Sequence, residues 1–154
     1  MATIRGTSGN DRLTGQSGDD HVYGLDGADS FYWRGNLGND HYHGGNRHDD
    51  YDANPYTPGN PGGDHLYLQG SVGARITLTT TENGYAIGNN RLDFNGIERI
   101  SGTTGNDVVM AGRSAANGAR DGVPVHGISI FTGAGNDTVW GSRFDDVIDG
   151  GGRQ

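Results

Sequence analysis

The chain has 154 residues and a formal net charge of −8, which fits one domain of ordinary size. Gly accounts for 30 residues, Cys and Lys are absent, and Asp outnumbers Glu by 17 to 2. This composition excludes a disulfide scaffold, a helical bundle and a membrane-spanning helix, and the acidic balance argues against a nucleic-acid partner.

The first predicted elements are short strands separated by glycine turns at a nine-residue period. Gly6-Thr-Ser-Gly9-Asn-Asp11-Arg-Leu13-Thr is followed by Gly15-Gln-Ser-Gly18-Asp-Asp20-His-Val22-Tyr and Gly24-Leu-Asp-Gly27-Ala-Asp29-Ser-Phe31-Tyr. Trp33 and Arg34 are then inserted and are expected to bulge outward without shifting the alternation. The frame resumes with Gly35-Asn-Leu-Gly38-Asn-Asp40-His-Tyr42-His and Gly44-Gly-Asn-Arg47-His-Asp49-Asp-Tyr51-Asp. Residues 53–101 break the frame. A Pro/Gly loop comes first, and then the pairs Leu66/Leu68 and Ile76/Leu78 alternate as half-buried strands do. Leu92, Phe94, Ile97 and Ile100 lead into Gly102-Thr-Thr-Gly105-Asn-Asp107-Val-Val109-Met. A long loop is expected over 111–127, with Ile128 and Ile130 in the strand after it. Two units close the series, Thr132-Gly-Ala-Gly135-Asn-Asp137-Thr-Val139-Trp and Gly141-Ser-Arg-Phe144-Asp-Asp146-Val-Ile148-Asp.

Each unit reads physically as a turn at positions one to six and a strand at seven to nine. Glycine at positions one and four permits positive φ. Position six is Asp throughout, an oxygen donor at the end of the turn, whereas turn chemistry alone would also accept Asn or Ser. The short arm of Asp fits a tight turn, in which a Glu is expected to overshoot. Position eight is apolar in all eight units (Leu13, Val22, Phe31, Tyr42, Tyr51, Val109, Val139, Ile148). One inward residue per strand cannot bury a face alone, so such units must stack. Leu, Ile, Val and Phe make up about 18% of the chain, where less than ~20% with high net charge reads as disorder. A bound cation is the expected source of the missing stability.

In these units the chain resembles the RTX calcium-binding nonapeptide-repeat family. The resemblance implies an all-β fold, a right-handed parallel β-roll or β-solenoid with degenerate middle rungs and inserted loops. It implies a single domain over 1–154, with regular repeats at 1–52, degenerate rungs at 53–101 and further repeats at 102–154. It also implies several calcium ions at Asp11, Asp20, Asp29, Asp40, Asp49, Asp107, Asp137 and Asp146, with turn glycines Gly9, Gly18, Gly27, Gly38, Gly105 and Gly135. Arg47 and Phe144 depart from the fourth-position glycine. Two units make one turn of the roll, so Asp11 is expected to stack on Asp29, Asp29 on Asp49, Asp20 on Asp40 and Asp107 on Asp137. Two bare carboxylates about 5 Å apart oppose each other by roughly 3 kcal/mol at an effective dielectric of 20, and a cation turns that pair into a ligand set.

The family leaves the cell by the type I route. Residues 1–5 carry no apolar segment, so a secreted module of a larger protein without a cleaved N-terminal signal is expected. Outward positions place His21, Tyr23, His41 and His43 on one face, a candidate for binding zinc or a sugar acid. No triad, phosphate loop or His-Glu-x-x-His pattern occurs, and a non-catalytic module is expected. The alternative is a module that binds or acts on an extracellular polysaccharide, of the kind associated with uronate lyases and epimerases, with contacts from Trp33, Tyr23, Tyr32, Tyr56, Arg34 and Arg47. An adhesin segment is the third reading.

Overall fold

A computed structural model describes residues 1–35, 38–45, 63–80, 82–112, 127–144 and 146–152. Its first strands are β1 (Thr3–Arg5), β2 (Arg12–Thr14), β3 (His21–Leu25), β4 (Ser30–Trp33), β5 (Asp40–Gly45), β6 (His65–Leu68) and β7 (Arg75–Leu78). They are followed by β8 (Gly84–Ile87), β9 (Arg91–Asn95), β10 (Arg99–Ser101), β11 (Val108–Met110), β12 (Ser129–Phe131), β13 (Thr138–Trp140) and β14 (Val147–Asp149). No helix occurs among the described residues.

Successive strands alternate between two sheets except at β7, β8 and β9, which all lie in the same one. The wide sheet has the order β1-β3-β5-β9-β8-β7-β11-β13, and the narrow one has β2-β4-β6-β10-β12-β14. Every pairing is parallel except those of β8, which runs antiparallel to both β7 and β9. After β6 the chain therefore jumps ahead, turns back through β8 and returns in β9 beside β5. The expectation of parallel strands throughout fails at this point for a local reason. Thr79 and Thr80 donate their N–H groups to the Asn83 carbonyl, and the Thr80 hydroxyl accepts the Asn83 N–H, which closes a hairpin. The narrow sheet runs past the excursion without a gap, since β10 pairs with both β6 and β12.

Position-eight side chains fill the space between the sheets. Val22 lies beside Ile4 and Tyr42, and Tyr42 beside Phe94. Phe31, Leu66, Ile76, Ile100, Val109 and Ile130 are buried with them. Each such side chain contributes about 1.5–3 kcal/mol of burial. Trp33 does not bulge outward. β4 continues through it, and alternation carries the indole inward beside Phe31, where it is 2% exposed. The Tyr42 hydroxyl is satisfied in the interior, accepting the Gly15 N–H at 3.0 Å and donating to the Tyr32 carbonyl at 3.2 Å. Burial pushes the Tyr42 phenol well above its ordinary range, so the hydroxyl stays protonated. At the last strand the core opens, and Ile148 is 47% exposed.

Candidate metal centre at the acidic turns

Position-six carboxylates form hydrogen-bonded ladders along both edges of the roll. On the edge leading into the wide sheet, Asp20 Oδ1 accepts the Ala2 N–H at 2.6 Å and Asp40 Oδ1 the Asp20 N–H at 3.0 Å. Further along, Asp107 Oδ1 accepts the Ala74 N–H at 2.7 Å and Asp137 Oδ1 the Asp107 N–H at 2.8 Å. On the edge leading into the narrow sheet, the Asp11 N–H donates to Asp29 Oδ1 and the Asp29 N–H to Asp64 Oδ1. The Asp64 N–H donates to Glu98 Oε2, and the Ile128 N–H to Asp146 Oδ1. The second oxygen staples the residue's own turn. Asp11, Asp20, Asp107 and Asp146 each accept the N–H four residues earlier at 2.5–2.8 Å.

This geometry changes the reason for most position-one glycines, although Gly35 does hold a positive φ, +70°. Among the positive-φ residues are the position-four Gly18, Gly27, Gly38 and Gly135, at +97°, +113°, +150° and +131°, but not Gly6, Gly24, Gly102 or Gly141. At these position-one sites a Cβ would strike the carboxylate oxygen of Asp11, Asp29, Asp107 or Asp146. Glycine is needed there for close approach of the carboxylate. The position-four Gly9 and Gly105 also lack positive φ. They lie under the next rung, where a Cβ on Gly27 or Gly135 would meet their backbone.

Asp11 lies next to Asp29, Asp20 to Asp40 and Asp107 to Asp137. The expected partner of Asp29, Asp49, lies outside the described residues, as do Arg47 and Tyr51. Asp64 occupies that rung instead. Gly44 abuts Asp64 as Gly24 abuts Asp29, so an insertion separates the glycine from the acid of the same turn. Glu98 takes the following rung, its longer arm reaching the Asp64 N–H, against the expectation that Glu overshoots. Both residues carry an acid-x-apolar-x signal that the strict frame missed, Asp64-His-Leu66-Tyr and Glu98-Arg-Ile100-Ser. On the other edge the matching places are apolar. Leu92 is in register with Asp40, and Ala74 donates to Asp107.

Several of these carboxylates are buried, with Asp20, Asp29, Asp40, Asp64 and Asp107 at most 2% exposed. Burial pushes Asp40 above the ordinary carboxylate range, and the Asp20 charge adds to it. Asp107 is raised in the same way, chiefly by burial and further by Asp137. Asp137 Oδ2 is buried without a hydrogen-bond partner. Hard oxygens, paired charges and an orphaned carboxylate oxygen suit calcium. No group of three or more His, Cys, Asp or Glu side chains among the described residues forms a metal cage. An ion at the turns must therefore draw further oxygens from backbone carbonyls, which hard cations accept.

His21, Tyr23, His41 and His43 stand together on the outer face of the wide sheet. Ring centroids are 4.8 Å apart for His21–His41, 4.6 Å for Tyr23–His43 and 6.3 Å for His21–His43, with planes within 11°. The Asn95 amide holds His43 Nδ1 at 2.7 Å, and burial lowers the His43 pKa. The rings stack as parallel plates, whereas zinc ligands must converge within about 2.1 Å of one ion. The aromatic set expected to meet a sugar is dispersed. Trp33 is in the core, Tyr23 and Tyr32 lie on opposite sheets, and Tyr56 is outside the described residues.

A family model described as the RTX calcium-binding nonapeptide repeat matches in four copies, over residues 3–32, 92–115 and 131–152. No curated protein matches the chain.

Proposed function

The chain belongs to the RTX calcium-binding nonapeptide-repeat family, and from that premise we propose that it is a right-handed calcium-loaded β-roll module of an exported protein, folding when it meets calcium outside the cell. The observation that carries this reading is the double ladder of buried position-six carboxylates. Asp11, Asp20, Asp29, Asp40, Asp107, Asp137 and Asp146 would hold the ions, joined by Asp64 and Glu98. Calcium would supply countercharge and no reactive chemistry. The protein's own groups do the positioning. Turn N–H groups fix each carboxylate, position-one glycines admit it, and position-four glycines let the rungs close up.

The unbound chain is disfavoured by the repulsion already noted, and extracellular calcium modules bind with Kd of about 10⁻⁴–10⁻³ M. That affinity leaves the chain metal-free where calcium is scarce and loaded where it is millimolar, coupling folding to location. The outward ring face on the wide sheet serves this reading as solvated or docking surface. Equilibrium dialysis tests the proposal. Several calcium ions should be retained at millimolar free calcium, and excess magnesium, which demands octahedral geometry and resists dehydration, should not displace them. A folded chain that retains no calcium would overturn it.

A further inference from the structure

The edge that leads into the wide sheet closes rung on rung except where β8 enters. Glycine backbones there lie in contact, since a Cβ on Gly38 would strike Gly18 and one on Gly135 would strike Gly105. The turn between β8 and β9 is tied to the rung before it, the Asn90 N–H donating to the Gly35 carbonyl and the Arg91 N–H to Asn39 Oδ1. The segment between β6 and β7 is tied to the rung after it, the Thr104 N–H donating to the Gly70 carbonyl. Between the two the edge parts, and a cleft of about 200 Å³ opens. A Cβ on Gly70 would meet nothing within 4 Å. Trp33, Leu68 and Ala74 reach the cleft from the core, and Val72, 60% exposed, stands at its mouth with Arg34 and Asn89. The benzo edge of Trp33 runs between Gly35 and Gly88, where a Cβ on either glycine would lie 3.6 Å from the ring.

We propose that this cleft binds a small aryl carboxylate, one aromatic ring on a short arm that ends in a carboxylate. Size and lining set the ring. A cavity of ~150 Å³ holds benzene and sites for drug-sized molecules begin near ~300 Å³, so about 200 Å³ admits one ring and a short arm. Covering Val72 and the carbon walls is favourable as apolar burial. Arg34 sets the charge. Its Nε donates to Gln69 Oε1 at 3.4 Å, and no carboxylate among the described residues forms an ion pair with it. A guanidinium can take a ligand carboxylate through two parallel N–H bonds. Asp40 and Asp107 back the lining at Trp33 and Thr103, and both are buried and engaged in the acidic rows. The cleft comes from the β8 excursion rather than from the repeat, so the inference is independent of the calcium reading.

Trp33 and Trp140 are the two tryptophans, and Trp140→Phe leaves Trp33 as the reporter. Fluorescence titration of that variant at saturating calcium, with circular dichroism confirming the fold of each sample, compares hydrocinnamate with hydrocinnamyl alcohol, which lacks the charge, and propionate, which lacks the ring. Hydrocinnamate should shift the Trp33 emission saturably and bind about tenfold or more tightly than either. Arg34→Gln should cost hydrocinnamate about tenfold and leave the alcohol unchanged, while Arg5→Gln, on the outer face of the wide sheet, should bind as the parent does. Gly88→Leu, whose Cβ lies at an ordinary contact distance from Trp33, should fill the cleft and abolish the shift. Val72→Ser should weaken binding severalfold and serves if the Gly88 variant does not fold. No saturable shift, equal binding of propionate or the alcohol, an equal loss with Arg5→Gln, or undiminished binding by a folded Gly88→Leu or by Val72→Ser would overturn the proposal.

Discussion

The two edges of the roll solve the same problem differently in the middle of the molecule. On the narrow-sheet edge the acids continue through the irregular region as Asp11, Asp29, Asp64 and Glu98. On the wide-sheet edge they stop. Asp20 and Asp40 lie on one side, Asp107 and Asp137 on the other, and Leu92 and Ala74 take the places between, where β8 enters. An edge that keeps its acids must neutralise them, whereas an edge that exchanges them for apolar side chains gains burial and needs no ion.

The most severe way to break this contrast is to put a charge into the apolar stretch. Leu92 is fully buried, and Leu92→Asp should cost about 3 kcal/mol or more in thermal or urea unfolding even at saturating calcium. Rescue of that variant by calcium would show that the two stretches are equivalent after all. On the acidic edge, Asp29→Ala leaves the Asp11 N–H without its acceptor and removes a buried charge from the row. Its cost should be roughly 2 kcal/mol at saturating calcium, and the calcium midpoint of folding should rise. A loss of stability with an unchanged calcium midpoint would reduce the row to turn geometry.

Acidity sharpens the contrast further. The folded pKa of Asp40 and of Asp107 is raised, mainly by burial, so without metal their ionised forms oppose folding. Their contribution is most favourable below the unfolded value near 3.8 and is lost as pH rises through the folded one. His65 runs in the opposite sense. Its folded pKa is lowered to about 4 by burial and by Arg99, so its contribution is intact above about 6.5 and is lost as pH falls toward 4. The metal-free double variant Asp40→Asn/Asp107→Asn should therefore show more β signal by circular dichroism than the metal-free parent at pH 7 and no more at pH 4. Its calcium affinity should fall as well. His65→Gln should remove the acid-side loss. The smallest effect is at Leu25, which holds φ at +85°. Leu25→Gly should relieve that strain, offset in part by backbone entropy, for a net change of about 1 kcal/mol or less at saturating calcium.

Much of this organisation was legible because period and chemistry coincide. Asp at position six and one apolar residue two positions later identified the strands at Leu13, Val22, Phe31, Tyr42 and Val109 and the pairing of Asp20 with Asp40. Tolerance of the frame hid the rest. Asp64 was missed because its turn glycine, Gly44, lies on the far side of an insertion, and Glu98 because the frame admitted only Asp. The antiparallel β8 left no trace in a period-two pattern, which does not encode direction. Trp33 was taken for an insertion because the nine-residue count excluded it, yet alternation along β4 already placed it inward beside Phe31.

One titration bears on the coupling of metal to fold most directly. Chelator-treated protein should give a coil-like far-ultraviolet circular dichroism spectrum and convert to a β spectrum as calcium rises through about 10⁻⁴–10⁻³ M, with no conversion in magnesium. An unchanged β spectrum and an unchanged melting point in chelator would contradict it.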